Sequence, residues 1–415
     1  MTDLHLKADF PSGSKEDWEQ LVLKGLRGAG LESLLRTTDD GLDRKILSRQ
    51  GDLPAAVASL GRIDMPLLDG RAWHMAAPVR DTDIDHANTQ LLENLKGGSS
   101  AVRIEDEVDI STRSKLKRLL EGVFTDLIPI QFAPSSANAQ RLDAALGLDP
   151  LKTAVLWTGL DPLGTSDVLK SSLKSVPKNW RLMGISAAAI HEAGGTNVQE
   201  IAGLAATLAE AMRRYGAEVV CQHMVIDLAA DRDTHLTIAK FRAARRIILQ
   251  IADAFGADGS NIPLCAITSL RMMQTEDAWT NLLRIVSAGT GAVIGGADMV
   301  TTRPFTDGLG QATPFAHRIA RNMQLMMMEE SHLGQVSDAA LGSYWHENMT
   351  QQLARSAWQT FQTIEAAGGM SDYRDSGALQ ADLDVSRAER EARNAPILGV
   401  TLHPAKDVKA PEVRS

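Results

Sequence analysis

The sequence predicts an α/β protein, a (β/α)8 TIM barrel preceded by an extended N-terminal arm. From about residue 90 onward, short apolar runs alternate with amphipathic helical segments, a pattern typical of a parallel sheet covered by helices. Seven or eight such units occupy roughly 250 residues, which is the usual size of this barrel. A doubly wound sheet is the alternative fold, but no Gly-x-Gly-x-x-Gly follows the first predicted strand.

The predicted strands are the short apolar runs at 101–104, 127–132, 153–157, 182–187, 219–226, 263–268 and 292–300. The predicted helices lie at 111–123, 138–146, 166–175, 198–214, 235–255 and 277–287. Consecutive strands joined by helices usually lie side by side in one sheet. We therefore assign residues 91–375 to the barrel. Residues 376–415 form a predicted C-terminal tail, with a short helix followed by an end that we expect to be disordered.

Residues 1–90 form the predicted arm. Ser14 and Asp17 have the spacing of a helix capping box, and the helix that follows has apolar residues at helical spacing. After this helix the apolar pieces are short and are interrupted by Pro54 and Pro66. Such a segment cannot form a core of its own, so we expect it to wrap a partner or its own barrel.

Composition excludes several classes of partner. The chain has 415 residues, of which 44% are hydrophobic and 23% charged, and its formal net charge is −9. This charge argues against nucleic acid and anionic membranes as partners. The sequence has no signal peptide and no apolar run of about 18 residues, so we predict a cytoplasmic protein. Cys221 and Cys265 lie in apolar runs without metal-ligand spacing, which predicts buried thiols and no metal site.

Three segments of the sequence, in the order and spacing of one family, resemble the methylmalonyl-CoA mutases, and within them the small subunit. They are His191-Glu192-Ala193-Gly194-Gly195-Thr196-Asn197-Val198-Gln199-Glu200, Gly295-Gly296-Ala297-Asp298 and Arg318-Ile319-Ala320-Arg321-Asn322. The resemblance implies a radical interconversion of methylmalonyl-CoA and succinyl-CoA, with adenosylcobalamin as the cofactor. It also implies that the acyl-CoA runs through the centre of the barrel.

The sequence departs from the family at the positions that carry the chemistry. The catalytic subunits have a Tyr-His pair just before the His191 segment, and these positions hold Ala188 and Ala189 here. The tyrosine that the catalytic subunits place between substrate and cobalamin falls at Pro78. A methyl group cannot donate a hydrogen bond or a proton to a thioester oxygen. We therefore expect this chain to have no catalytic residues.

Three side chains remain as candidates for contact with an acyl-CoA, namely His191, Arg271 and Gln274. His191 falls where the family tends to have glutamine, and a role as a loop or capping residue is the alternative. Glu276 and Asp277 replace the small Ser-Gly of the family, and two carboxylates beside a polyanionic ligand would repel it. This repulsion argues against acyl-CoA binding, and we expect residual binding at most.

The family's cobalamin motif, Asp-x-His-x-x-Gly, has one partial counterpart. Asp233-Thr234-His235 is followed by Ile238 in place of glycine, and Asp233 stands where a helix N-cap is expected. The resemblance places cobalamin in a separate domain after the barrel, and we expect no such domain in this sequence. The cofactor would then be bound by another chain.

The predicted function is that of a small, noncatalytic subunit in a heterodimeric, adenosylcobalamin-dependent methylmalonyl-CoA mutase, paired with a large catalytic subunit. Two alternatives stay open. One is an active acyl-CoA mutase barrel that uses a separate cobalamin-binding chain. The other is a stand-alone acyl-CoA-binding protein without chemistry.

Overall fold

A closed barrel of eight parallel strands forms the centre of the molecule and confirms the predicted fold class. The computed structural model describes residues 13–53, 58–62, 70–134, 139–149, 151–164, 166–174, 176–404 and 408–414. The barrel strands are β1 His74–Val79, β2 Ala101–Ile104, β3 Pro129–Phe132, β4 Val155–Leu160, β5 Trp180–Ser186, β6 Met224–Ala230, β7 Leu264–Thr268 and β8 Met299–Thr301. Each strand pairs with the next in the chain, and β8 pairs with β1 to close the barrel.

The described residues contain fourteen α-helices, most of which cover the outside of the barrel. They are α1 Lys15–Gly25, α2 Ile84–Lys96, α3 Arg113–Leu119, α4 Ala139–Leu146, α5 Ser166–Ser172, α6 Ala187–Glu192, α7 Asn197–Tyr215, α8 Ala217–His223, α9 Thr234–Ala254, α10 Asn281–Ile294, α11 Pro314–Leu325, α12 Tyr344–Ala366, α13 Met370–Asp375 and α14 Ala378–Ala392. Short 3-10 turns occur at Leu31–Leu34, Gln50–Asp52 and Ala278–Thr280, and Met326–Glu330 is a π turn. No helix in the described ranges is long and apolar enough to cross a membrane.

Side-chain caps fix the starts of several helices. Ser14 and Asp17 form the predicted capping box at α1, and Thr196 with Gln199 forms another at α7. Asp233 caps α9 by accepting a hydrogen bond from the backbone N–H of Leu236, as the sequence predicts. A cap satisfies N–H groups that have no partner within the helix, so these residues set where each helix begins.

The barrel begins earlier than the sequence predicts, because its first strand, His74–Val79, lies inside the range 1–90 that we assigned to the arm. This strand contains Pro78, which lacks a backbone N–H and normally argues against a central strand. All six of its residues are nevertheless buried, and β8 and β2 flank it on either side. Burial between two strands therefore outweighs the local signal of the proline.

Two predicted strands were too long. Residues 219–223 of the run 219–226 belong to α8, which starts directly after Gly216 at a φ of 90°. In the run 292–300, α10 continues to Ile294 and only Met299–Thr301 is a strand. Apolar runs this short do not distinguish a buried helix from a buried strand. Packing against the barrel decided between them.

The C-terminal end also differs from the prediction. Within the predicted tail, Ala378–Ala392 is the expected helix, but Val413–Arg414 pairs with Gln311–Ala312 as a short antiparallel ladder. Arg414 donates to Asp81 at 2.8 Å, which ties this end to the barrel. The described part of the end is thus ordered by a backbone ladder and an ion pair.

The described part of the arm lies on its own barrel from about residue 38 to residue 62. The carboxylate of Asp40 accepts from the N–H of Val198 at 2.7 Å, and the N–H of Leu60 donates to Asp338 at 2.9 Å. Helix α1 is different, because it buries none of its residues. Pro54 and Pro66, which we expected to interrupt the arm, lie outside the described residues.

Candidate functional site

The barrel interior near the amino-terminal ends of the strands is a packed apolar layer. Side chains from six of the strands meet in one buried cluster: Ala76, Ala101, Val155, Trp157, Val225, Cys265 and Met299. Only inward-pointing side chains of a closed barrel can meet in this way. The two cysteines of the sequence, Cys221 and Cys265, are both buried free thiols, as predicted.

Next to that layer, on the side of the carboxyl ends of the strands, an ion pair crosses the centre of the barrel. Nη1 of Arg103 on β2 lies 2.5 Å from Oδ2 of Asp227 on β6. Strands β3, β4 and β5 separate the two residues on one side, and β7, β8 and β1 on the other, so the pair spans the full width of the interior. Gln131 donates to the second oxygen of Asp227 at 2.9 Å, and Glu105 accepts from Nε of Arg103 at 2.9 Å. All four side chains are buried.

The electrostatics of this group favour the ion pair over neutral partners. Burial raises the pKa of Asp227, and the positive charge of Arg103 opposes that rise. Burial would lower the pKa of Arg103, but the charges of Asp227 and Glu105 outweigh it and raise that pKa. An arginine with two carboxylate partners in a dry interior keeps its charge. The middle of the barrel is therefore filled by fixed charges.

Three positions hold alanine or proline where the resemblance implies catalytic residues, and they lie around the carboxyl end of the barrel. Ala188 packs against Ala229 and Ile267 at the ends of β6 and β7. Ala189 is exposed and lines a cavity of about 490 Å³ beside β5 and α14. Pro78 pairs in register with Arg103. None of these three side chains can donate a proton or a hydrogen bond.

His191, the first of the candidate substrate contacts, is buried and held on both ring nitrogens. Nη2 of Arg271 lies 3.1 Å from Nδ1, and Oγ of Ser269 lies 2.9 Å from Nε2. A guanidinium only donates, so Nδ1 accepts and the proton of the ring is on Nε2. Burial, together with the charges of Lys240 and Arg271, holds the pKa of His191 well below its usual value. The ring is therefore neutral and both of its nitrogens are engaged.

Arg271 holds the loop between α6 and α7. Its Nη1 donates to the carbonyl oxygens of His191 at 2.7 Å and Gly195 at 2.9 Å, and its backbone N–H donates to Glu192 at 3.0 Å. The structure thus brings His191 and Arg271 into contact. Gln274 is held elsewhere, because its backbone N–H and carbonyl each bond to the side chain of Asn281 at 2.9 Å.

Comparison with known proteins places the chain in a family. A family model described as Methylmalonyl-CoA mutase matches residues 139–413. The chain belongs to the methylmalonyl-CoA mutase family. The methylmalonyl-CoA mutase small subunit of Streptomyces virginiae is 33% identical over 447 residues, covering 97% of this chain and 72% of the relative. The small subunit of Propionibacterium freudenreichii subsp. shermanii is 31% identical over 463 residues, covering 100% of this chain and 72% of the relative.

A third relative is similar over a shorter stretch. The probable methylmalonyl-CoA mutase small subunit of Mycobacterium tuberculosis (strain ATCC 25618 / H37Rv) is 35% identical over 378 residues. That match covers 82% of this chain and 60% of the relative. The similarity to these mutase small subunits therefore extends over most of the chain.

This family uses cobalamin, and the partial cobalamin motif in this mutase-family chain does not fit that ligand. Asp233 caps α9 and pairs with Arg44 of the arm. Nδ1 of His235 lies 3.0 Å from Nε2 of His346, and the ring of His235 stacks edge-on against Trp345. In the described part of the chain, no group of three or more His, Cys, Asp or Glu side chains is arranged to hold a metal.

The charged groups that matter most in this mutase-family barrel were not among the predicted site residues. Arg103 and Asp227 were not considered, nor was the fully buried pair in which Nζ of Lys240 lies 2.8 Å from Glu200. Burial raises the pKa of Glu200, and Lys240 opposes that rise. A usable signal was present, because Arg103 and Asp227 each interrupt an otherwise apolar strand at an alternate position. A charge on the inner face of a barrel strand needs a partner across the interior.

Proposed function

We propose that this chain is a small, noncatalytic subunit of an adenosylcobalamin-dependent methylmalonyl-CoA mutase, in which a large subunit carries out the isomerisation. The observation that carries the proposal is the ion pair of Arg103 and Asp227. The family resemblance implies that the acyl-CoA runs through the centre of the barrel. Here that path is filled by this pair and by the packed layer that includes Trp157.

The carboxyl mouth of the barrel supports the same proposal. General acid catalysis at a thioester needs a proton donor within hydrogen-bond distance of the carbonyl oxygen. Ala188 and Ala189 offer only methyl groups, and the nearby His191 is already bonded to Arg271 and Ser269. Radical chemistry and the cobalamin would accordingly belong to the large subunit. Two free buried thiols suit the reducing cytoplasm, where we place the complex.

Helix α1 is the proposed contact with the large subunit. It is amphipathic yet buries no residue, and Leu21 on it is 70% exposed. The following turn, Leu31–Leu34, also buries none of its residues. A helix that leaves all of its apolar residues unburied by its own chain is typical of a surface that another chain covers. The names of the relatives, which describe small subunits, agree with such a partner.

The test is co-purification with the large subunit of the same cell. We would express this chain with an affinity tag together with the untagged large subunit, and size the eluted complex. The proposal expects a stable heterodimer whose turnover is abolished by mutation of the large subunit's active site alone. A chain that elutes without the large subunit would contradict it. Independent turnover by this chain with a separate cobalamin-binding protein would favour the active-barrel alternative.

A matched pair of variants tests the role of α1 in that complex. Leu21→Glu places a charge on the exposed apolar face of α1, and we expect it to weaken the heterodimer at least about tenfold. Leu283→Glu is the control, because Leu283 is also a helical leucine and is 61% exposed on α10. Equal loss of the complex in both variants would show that α1 has no special part in assembly.

A further inference from the structure

A groove runs between α2 and α11 on the outside of the barrel. Its main part has a volume of about 530 Å³ and is lined by side chains of both helices and by Arg414. A smaller pocket of about 260 Å³ adjoins it and shares Gln90, His317 and Arg414. Small-molecule sites typically have volumes of about 300–1,000 Å³, so the groove has the size of a ligand site.

The main part of the groove has an excess of positive charge. Lys96, Arg318 and Arg321 line it with Arg414, while Glu93 is the one carboxylate among its described lining residues. Arg414 is already paired with Asp81 at 2.8 Å. Three cations therefore face one anion in a chain whose net charge is −9.

The carboxylates of the adjoining pocket do not offset this excess, because each has an arginine partner. Arg80 lies 2.7 Å from Glu107 and 2.8 Å from Asp307, Arg303 lies 3.6 Å from Asp307, and Arg414 is the partner of Asp81. His317 adds no charge at neutral pH, because burial and the nearby arginines lower its pKa to about 4. The cations of α2 and α11 are therefore the unbalanced charges of the groove.

Two of these cations are held in place before any ligand binds. Arg321 donates from Nη1 to Oδ1 of Asn94 at 2.6 Å and from Nε to the carbonyl of Gly97 at 3.2 Å. The guanidinium of Arg318 lies 5.6 Å from the centre of the Phe315 ring. Helix α11 also begins at the groove, and the N-terminus of a helix attracts anions. Preorganised donors lose little freedom when they bind an anion.

Asn94 adds a polar group with an incomplete set of hydrogen bonds to the wall of the groove. Its side chain is buried, with 2% exposure, and lines the groove beside Arg321. Its Oδ1 accepts from Arg321, but its Nδ2 has no hydrogen-bond partner among the described residues. Buried amide donors almost always have an acceptor, so an oxygen atom of a water or of a bound molecule would complete the hydrogen bonds of this one.

We infer that the groove between α2 and α11 binds a phosphate-bearing small molecule. Phosphate oxygens accept strong hydrogen bonds from guanidinium, ammonium and amide N–H groups, and Arg318, Arg321, Lys96 and Asn94 present these groups together. This site lies outside the barrel centre and does not depend on the proposed subunit function.

Isothermal titration of the full chain with inorganic pyrophosphate tests the inference. We expect saturable binding that weakens as sodium chloride is raised, because the cations of the groove are close to solvent. Arg318→Gln should weaken the affinity roughly fivefold to tenfold, the loss typical of a charge-assisted hydrogen bond. Arg355→Gln is the matched control, since it removes an exposed arginine from α12, and it should leave the affinity unchanged.

A second variant separates ligand binding from folding. Asn94→Asp keeps an oxygen acceptor for Arg321 but removes the amide donor and adds a negative charge. We expect this variant to stay folded by circular dichroism and to show no saturable binding of pyrophosphate. The inference is overturned if the unaltered chain shows no saturable heat, or if Asn94→Asp and Arg318→Gln bind as tightly as the Arg355→Gln control.

Discussion

Arg103 and Asp227 meet across the interior of the barrel, with 2.5 Å between Nη1 and Oδ2. The two residues are 124 positions apart in the chain, and closure of the barrel brings them together. A buried charge is stable only with a partner, so each residue requires the other. The pair lies in the middle of the barrel, where the family resemblance implies the path of an acyl-CoA.

Arg103→Met is expected to destabilise the fold strongly. The variant leaves Asp227 and Glu105 buried without their cation, and breaking a buried ion pair typically costs about 3–5 kcal/mol. Urea unfolding at pH 7 measures the change in the free energy of unfolding. Arg113→Met is the control, because its ion pair with Asp143 is exposed and should be worth less than about 1 kcal/mol.

The same variant should also change the pH dependence of stability. Burial already raises the pKa of Asp227, and loss of Arg103 removes the charge that opposes the rise. A carboxyl whose pKa is raised by folding stabilises the protein below its unfolded pKa and loses that contribution as pH increases. We therefore expect Arg103→Met to lose stability between pH 4 and pH 7 relative to the unaltered chain. A parallel pH profile for both proteins would contradict this account.

The isolated chain should not bind acyl-CoA in its barrel. We expect no saturable heat from the barrel when succinyl-CoA is titrated up to about 1 mM, a limit that corresponds to about −4 kcal/mol. Because CoA carries phosphates, the titration is made with Asn94→Asp, in which the groove of α2 and α11 is disabled. Micromolar binding in that variant would support the stand-alone acyl-CoA-binding alternative. It would argue against an interior that the ion pair and the apolar layer fill.

His191→Gln should reduce the acid sensitivity of the protein. The pKa of His191 is held well below its usual value by burial, so the folded chain does not take up a proton that the unfolded chain binds near pH 6.5. Stability is therefore lost as pH falls below about 6.5, by up to about 1.4 kcal/mol per pH unit for this group. Without the imidazole, the free energy of unfolding should fall less steeply as the pH is lowered.

Urea unfolding at several values between pH 5 and pH 7.5 measures the slope. His86→Gln is the control for the loss of an imidazole, because the side chain of His86 is 63% exposed. At pH 7 the His191→Gln variant should also be less stable by about 1–3 kcal/mol, since its bonds to Ser269 and Arg271 are disturbed. An unchanged slope would show that His191 is not the buried neutral group described above.

Arg62→Gln should loosen the arm from the barrel. Arg62 donates to the carbonyl oxygens of Ala297 and Val293 and lies over the ring of Trp73, 5.5 Å from its centre. We expect a loss of about 1–3 kcal/mol in the free energy of unfolding and faster proteolysis within the arm. Arg36→Gln is the control, because Arg36 bonds only to nearby arm carbonyls in the described contacts. Equal effects of the two variants would contradict a specific anchoring role for Arg62.

The sequence by itself determined the class of fold and the family. The alternation of apolar runs with amphipathic helices is a local property, and so are the caps at Ser14, Thr196 and Asp233. Local patterns set helix and strand type because each depends on neighbours within a few residues. Where the local signal was ambiguous, as in the run 219–226 or at Pro78, the boundaries were wrong.

Only the tertiary structure decided what fills the barrel and how the candidate residues are used. His191 and Arg271 were predicted as separate candidates for contact with a substrate, and they prove to bind each other. Arg103 reaches Asp227 only because strands far apart in the chain become opposite walls of one barrel. Contacts of this kind depend on the closed geometry, and no pattern of neighbouring residues encodes their distances.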